Sequence, residues 1–134
     1  MKLSTRSRYG TRILIELAKQ TATDPMPVSR ISQNQGIPVK YMEQLIRKLK
    51  SAGFIDSVRG AKGGHTLAKD PGTITLAKIV RLFEGQSDLV ECVSAPKVCD
   101  KANTCQVRTA WKNATEALYK ELAGVSIADL ACDP

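Results

Sequence analysis

The run VSRISQNQGIPVKYMEQLIRKLKSAGFIDSVRGAKGGHTLA, residues 28–68, constrains the fold more than any other part of the chain. Its first eight residues have room for two helical turns at most. They end at Gly36, a residue able to take the left-handed conformation that stops a helix. Pro38 then opens a longer helix, running to about Ala52, in which Val39, Met42, Leu45, Ile46 and Leu49 recur at helical spacing. Lys40, Glu43, Gln44 and Arg47 fall on its other, polar face. After Gly53, FIDSV alternates as a strand does, RGAKGG supplies three glycines and two cations for a turn, and HTLA returns as a second strand. A short helix, a glycine turn, a longer helix with a polar outer face and a hairpin with a basic tip follow one another as in a helix-turn-helix with a wing. Packed helix pairs are common and exposed hairpins more so; it is the ordered combination that narrows the reading.

The flanking segments complete a mainly α fold with one small β-hairpin. Gly10, Ile13, Leu14, Leu17 and Ala18 predict a first helix from about Tyr9 to Gln20, and TATDPMP, with two prolines, predicts a loop after it. Beyond the hairpin, Asp70-Pro71-Gly72 turns the chain. Thr75 is placed to cap a helix carrying Leu76, Ile79, Val80 and Phe83, which Gly85 ends. A loop from about Ser87 to Thr104 follows, too long for a plain connection in so small a protein. Val107, Trp111, Ala114, Leu118 and Leu122 then predict a helix of roughly 18 residues, or about 27 Å. Gly124 stops it, and Ser126 is placed to cap a last turn, IADLA. GAKGG lacks the spacing and the helix-leading Gly-Lys-Ser/Thr of a phosphate loop, so nucleotide binding is not expected.

One monomer of 134 residues has little core left to cover that last long helix. The expectation is therefore a homodimer, with the helix packed on its symmetry mate and two recognition helices offered to successive major grooves of a palindromic double-stranded operator. The chain divides into a winged helix-turn-helix domain at 1–86, a cysteine-containing loop at 87–105, and a dimerisation helix with a C-terminal tail at 106–134.

Charge supports a nucleic-acid partner. Residues 1–65 hold twelve Lys or Arg against four Asp or Glu, net +8, whereas residues 66–134 hold eight against nine, net −1. All the basicity sits with the helix pair and wing, where Lys and Arg gain by displacing counterions from a polyanion. On the wing tip, Arg59 and Lys62 are placed to reach phosphates or a narrow minor groove. On the helix, Glu43 has the chemistry to accept from a cytosine amino group and Gln44 to pair an adenine edge, while Lys40 and Arg47 suit phosphates. No run approaches the roughly 18 apolar residues of a membrane span, and MKLSTRSRYG lacks the apolar stretch of a secretory signal, so a cytoplasmic protein without a membrane partner is expected.

The cysteines divide the opposite way. None precedes residue 92, and Cys92, Cys99 and Cys105 crowd into fourteen positions, with Cys132 in the tail. In a reducing compartment this reads as metal or redox chemistry. Thiolates suit an iron–sulfur cluster or zinc, and a thiol-disulfide switch is a further alternative. A small electron-transfer or cluster-carrier protein would explain the thiols but leave the basic head idle. An enzyme is not expected, because one histidine and no nucleophile–base–orienter set are available.

Basic helix-turn-helix, wing, C-x6-C-x5-C and an amphipathic helix with tryptophan six residues after the third cysteine together resemble the bacterial IscR-type family of winged-helix transcription regulators. The resemblance covers almost the whole chain and is strongest in MKLSTRSRYG, in IPVKYMEQLIRKLKSAGFIDSVRGAKGG and in the cysteine spacing. It implies a dimer with a long crossed helix. It also implies that Lys40, Tyr41, Glu43 and Gln44 read the major groove, that Arg59 enters the minor groove, and that Cys92, Cys99 and Cys105 bind an iron–sulfur cluster, 2Fe–2S or 4Fe–4S. In the family pattern a histidine ligand stands three residues after the third cysteine; here that position is Arg108, whose guanidinium keeps its protons and has no lone pair to offer. Some relatives use an acidic residue near the start of the partner's first helix, and the matching residue is Arg8. His65 reads as a strand residue at the base of the wing. Cys132, Glu91, Asp100, an acidic residue of the partner, or an exogenous water or thiol remain open as the fourth ligand.

Overall fold

The computed structural model describes residues 2–20, 24–86 and 88–132. Met1, residues 21–23, Ser87, Asp133 and Pro134 lie outside the described residues, and with them part of the loop expected at 21–27 and the first residue of the cysteine loop.

Helix α1 spans Thr5–Ala18, beginning four residues before the start that the apolar pattern predicted. The cause is a tertiary cap. Ser4 caps the helix by accepting from the Ser7 N–H, and the Glu84 carboxylate accepts from the Ser4 N–H at 2.9 Å, the Ser4 hydroxyl at 2.5 Å and the Ser7 hydroxyl at 2.6 Å. A carboxylate at a helix N-terminus satisfies orphan donors and meets the positive end of the dipole. The serine hydroxyls, Ser4 first and Ser7 next, hold Glu84 below the usual carboxylate range.

Helices α2 (Val28–Gln35) and α3 (Val39–Ser51) form the expected pair, and Gly36 between them is left-handed at φ 64°. The Ser32 hydroxyl donates to the Ile37 carbonyl across the turn. Strands β1 (Ile55–Val58) and β2 (Gly64–Leu67) are antiparallel, with Ile55 opposite Leu67 and Val58 opposite Gly64. A bridge between Met26 and His65, with N–H···O distances of 3.0 and 2.8 Å, ties the segment before α2 to the wing. Gly64 makes this possible: its φ is 156°, and a Cβ there would lie 2.4 Å from the Met26 backbone. Only glycine permits so close an approach.

Helix α4 (Leu76–Glu84) is capped by Thr75, α5 runs Arg108–Ala123, and α6 (Ile127–Ala131) starts in a capping box between Ser126 and Asp129. The stripes of α1, α3 and α4 meet in one core. There Ile13, Leu14, Ile31, Met42, Leu49, Ile55, Ile74, Ile79 and Ile127 are shut off from solvent. The segment leading into α6 belongs to this core as well, since Ile127 N–H donates to Ile74 O at 2.8 Å and Leu76 N–H to Val125 O at 2.9 Å.

Helix α5 behaves differently. It docks on α4 through Tyr119, which packs on Ala77 and Val80 beneath the Arg81 guanidinium, and through the half-buried Leu122 beside them. The first part of the stripe read from the sequence is uncovered, with Val107 46 % and Trp111 42 % exposed and Ala114 exposed, while Leu118 and Leu122 are half-buried. Among the described residues no helix is long and apolar enough to cross a membrane.

Candidate nucleic-acid interface and cysteine loop

The outer face of α3 carries Lys40, Glu43, Gln44 and Arg47, all exposed, because Met42, Leu45, Ile46 and Leu49 occupy the core side of the same helix. Arg59 and Lys62 are exposed at the wing tip. Tyr41 stands apart from the other members of the set. It is half-buried, its ring edge-on to Tyr9 with centroids 6.1 Å apart, and the Arg12 guanidinium lies 5.3 Å from the Tyr9 centroid.

Arg12, Glu16, Asn34 and Gln35 were not singled out by the sequence, yet they set the pose of the helix pair. Arg12 donates to the Gln35 side chain at 2.8 Å and to its carbonyl at 3.0 Å; Glu16 accepts from Asn34 at 2.7 Å and from Gln35 at 2.6 Å. The one available signal was the four-residue spacing of Arg12 and Glu16 on α1, which puts both on one helical face. His65 is a strand residue, as expected. Its Nδ1 lies 3.2 Å from the Ser57 hydroxyl, and burial, then the Lys50 ammonium, lower its pKa.

The cysteine loop is a series of tight turns, including 3₁₀ turns at Glu91–Val93 and Pro96–Val98. Cys92 sits in the first, Cys99 follows the second and Cys105 lies just before α5, so each belongs to a separate piece of backbone. Local hydrogen bonds close these pieces individually, among them Ala95 N–H to Glu91 O at 3.0 Å and Val98 N–H to Ala95 O at 3.1 Å. All four cysteines are free thiols; Cys92 and Cys105 are half-buried, Cys99 and Cys132 exposed. Among the described residues no three His, Cys, Asp or Glu side chains converge to hold a metal ion. The expected ligand set of Cys92, Cys99 and Cys105 is therefore not gathered in this arrangement, and Glu91, Asp100 and Cys132 do not complete it. As donors, three thiolates fit an iron–sulfur cluster; as arranged here, they form no preorganised site.

Arg108 has a different task. Its Nε donates to the Cys92 carbonyl at 3.0 Å and a terminal nitrogen reaches the Val93 carbonyl at 3.5 Å. Seven residues on, the Thr115 hydroxyl accepts from the Leu89 N–H at 3.3 Å and donates to the Trp111 carbonyl at 2.8 Å. Two side chains of α5 thus hold the near end of the loop.

A family model, Rrf2, described as an iron-dependent transcriptional regulator, matches residues 3–133. The chain belongs to the Rrf2 family. Protein rrf2 of Nitratidesulfovibrio vulgaris (Hildenborough) is 42 % identical over 133 residues, covering 99 % of this chain and 89 % of the relative. The HTH-type transcriptional regulator IscR of Aliivibrio salmonicida is 31 % identical over 133 residues, covering 99 % and 79 %. Among solved structures, CymR, the global cysteine regulator of B. subtilis, superposes with a TM-score of 0.81 at 35 % identity, covering 98 % of this chain and 96 % of that one. T. potens IscR does so at 0.75 and 30 %, covering 97 % and 85 %. The resemblance read from the motifs holds at the level of the family: this Rrf2 protein has the winged-helix fold and is a DNA-binding transcriptional regulator, not an enzyme.

Proposed function

We propose that this Rrf2 regulator acts in the cytoplasm as a homodimer on a palindromic operator and senses iron–sulfur, redox or nitric oxide status through its cysteine loop. The division of labour follows the chain: residues 1–86 bind DNA, 87–105 sense, and 106–134 dimerise. What carries the DNA part is the exposure of Lys40, Glu43, Gln44 and Arg47 on one face of α3 together with that of Arg59 and Lys62 at the wing tip. Glu43 and Gln44 read base edges, the cations hold phosphates, and the half-buried Tyr41 sets the helix against Tyr9. The dimer reading rests on Val107, Trp111 and Ala114, an apolar strip that one protomer leaves uncovered.

For the sensor, the proposed ligand is an iron–sulfur cluster on Cys92, Cys99 and Cys105, with a fourth ligand that is weak or not from the protein. A bound cluster supplies iron–sulfur bonds sensitive to oxygen, nitric oxide and iron supply. The chain's own part is the loop: gathering the thiols requires its separate turns to rearrange, and Arg108 and Thr115 transmit that to α5. Iron and acid-labile sulfide counted on anaerobically purified and reconstituted protein test this, and absence of both overturns it. Equal operator affinity with and without the cluster would leave it no regulatory role.

A second reading has its own support. Four free thiols, two of them the exposed Cys99 and Cys132, are open to oxidation, as a thiol-disulfide switch requires, and among the structural relatives is CymR of Staphylococcus aureus in an oxidized form. Thiol counting before and after oxidation separates this from structural zinc, which metal analysis detects.

A further inference from the structure

Between α3 and the wing lies an open groove of about 210 Å³ whose lining includes Arg47 and Lys50 from α3, Ser57 from β1 and His65 from β2, with Glu43 as its one carboxylate. Arg47 and Lys50 are exposed, and no ion pair with Glu43 neutralises them among the described residues. The groove opens between the two elements that bind DNA. Its donors are those that grip a phosphate: a guanidinium, an ammonium, a hydroxyl and an imidazole.

We propose that this groove is a seat for one phosphate of the DNA backbone, with His65 as a further DNA-contacting residue that takes up a proton when the phosphate arrives. The proposal rests on the DNA-binding reading and adds a residue and a proton to it. In the free protein burial, and after it the Lys50 cation, disfavours the imidazolium. A phosphodiester seated beside Lys50 offsets that cation and gives the imidazolium a direct anionic partner, which favours the charged form against the cost of burial. The other groups near His65 leave this balance in place. Arg47 and Glu43 on α3 oppose one another in charge, as do Lys69 and Asp70 at the opposite side of His65, and Ser57 and the Met26 backbone are neutral. The complex therefore binds a proton that the free protein does not, and affinity rises as pH falls, by at most about tenfold per pH unit for each His65.

Phosphate contacts are independent of sequence, so a short duplex of arbitrary sequence at about 50 mM salt is a sufficient probe. Arg47→Ala and Lys50→Ala are each expected to lower the slope of log affinity against log salt by about one per bound protomer. His65→Gln is expected to remove the pH dependence of affinity across the range in which an imidazole titrates, about pH 5 to pH 8. Ser57→Ala, which removes one donor of the groove together with the cross-wing hydrogen bond to His65, is expected to weaken binding at every pH while the dependence of affinity on pH survives. A His65→Gln protein with the wild-type pH profile, or a Lys50→Ala protein with the wild-type salt slope, overturns the seat. Loss of the pH dependence in Ser57→Ala overturns it too, because the effect would then lie in the wing's shape. If wild-type protein fails to bind the duplex at all, it is the DNA-binding reading beneath the proposal that falls.

Discussion

The DNA-binding head and the cysteine loop are held by different physics. In the head, residues far apart in sequence bury whole side chains together, from Ile13 and Leu14 on α1 to Ile127 on α6, and a carboxylate, Glu84, caps α1 from eighty residues away. The loop has one well-buried apolar residue, Ala102, and its near end is fastened to α5 by the hydrogen bonds of Arg108 and Thr115. A segment with few buried contacts opens at lower free energy than the core to which it is attached. A regulator needs this division, because the reader must keep its shape while the sensor changes.

The largest effect should come from the core. Leu49 on α3 is shut off from solvent, so Leu49→Ala is expected to cost about 2–5 kcal/mol through lost burial and the cavity left behind. Calorimetry should show the melting temperature falling and DNA binding lost on warming in the same step. A melting curve unchanged by this substitution would remove the contrast between head and loop.

The exposed stripe of α5 comes next. Trp111→Glu puts a charge into the proposed dimer seam while leaving the monomer's own contacts at Thr115 and Tyr119 intact. Sedimentation should report a folded monomer, with affinity for a selected palindromic duplex falling on the order of 100-fold as the linkage of two half-site contacts is lost. An unchanged dimer would place the seam elsewhere.

These cases also show what the residue pattern reveals. The helix pair, wing and caps were legible because each is local: Gly36 stops α2, Thr75 and Ser126 cap α4 and α6, and period-matched stripes mark the buried faces of α1, α3 and α4, though not that of α5. The start of α1 was not legible, since it depends on Glu84 across the fold. Nor was the half-burial of Tyr41 against Tyr9. In the candidate sensor, spacing identified the thiols but not their separation onto different turns, which is set by backbone bonds within the loop. Arg108 was marked in the sequence only as an unsuitable ligand. Its hold on the Cys92 carbonyl is set by the fold and not by the local sequence, because an arginine's length permits many partners.

Glu84 allows the head's long-range cap to be titrated. Its folded-state pKa is lowered, so its contribution is present above the ordinary carboxylate range and is lost as pH falls through the depressed value. Glu84→Gln is expected to cost about 1 kcal/mol near neutral pH, because the site is partly open and the amide oxygen still accepts. It should also flatten the acid limb of the stability profile, followed by denaturant unfolding at several pH values. An acid limb identical to wild type would show that other carboxylates control it.

The smallest global effect and the most selective local one should come from Arg108→Ala. The guanidinium makes one good and one long hydrogen bond to loop carbonyls, so its removal is expected to cost about 1 kcal/mol locally and to move the melting temperature little. Amide exchange should quicken around residues 91–95 and remain unchanged in α3. The half-buried Cys92 should react faster with a thiol reagent, while Cys99 and Cys132, already exposed, act as internal standards. If Cys92 reacts at its wild-type rate, Arg108 does not hold the loop shut, and the local turns suffice to hold the loop. If α3 loosens as well, head and loop form one cooperative unit, and a signal at the cysteines would then reach the recognition helix without relying on this arginine.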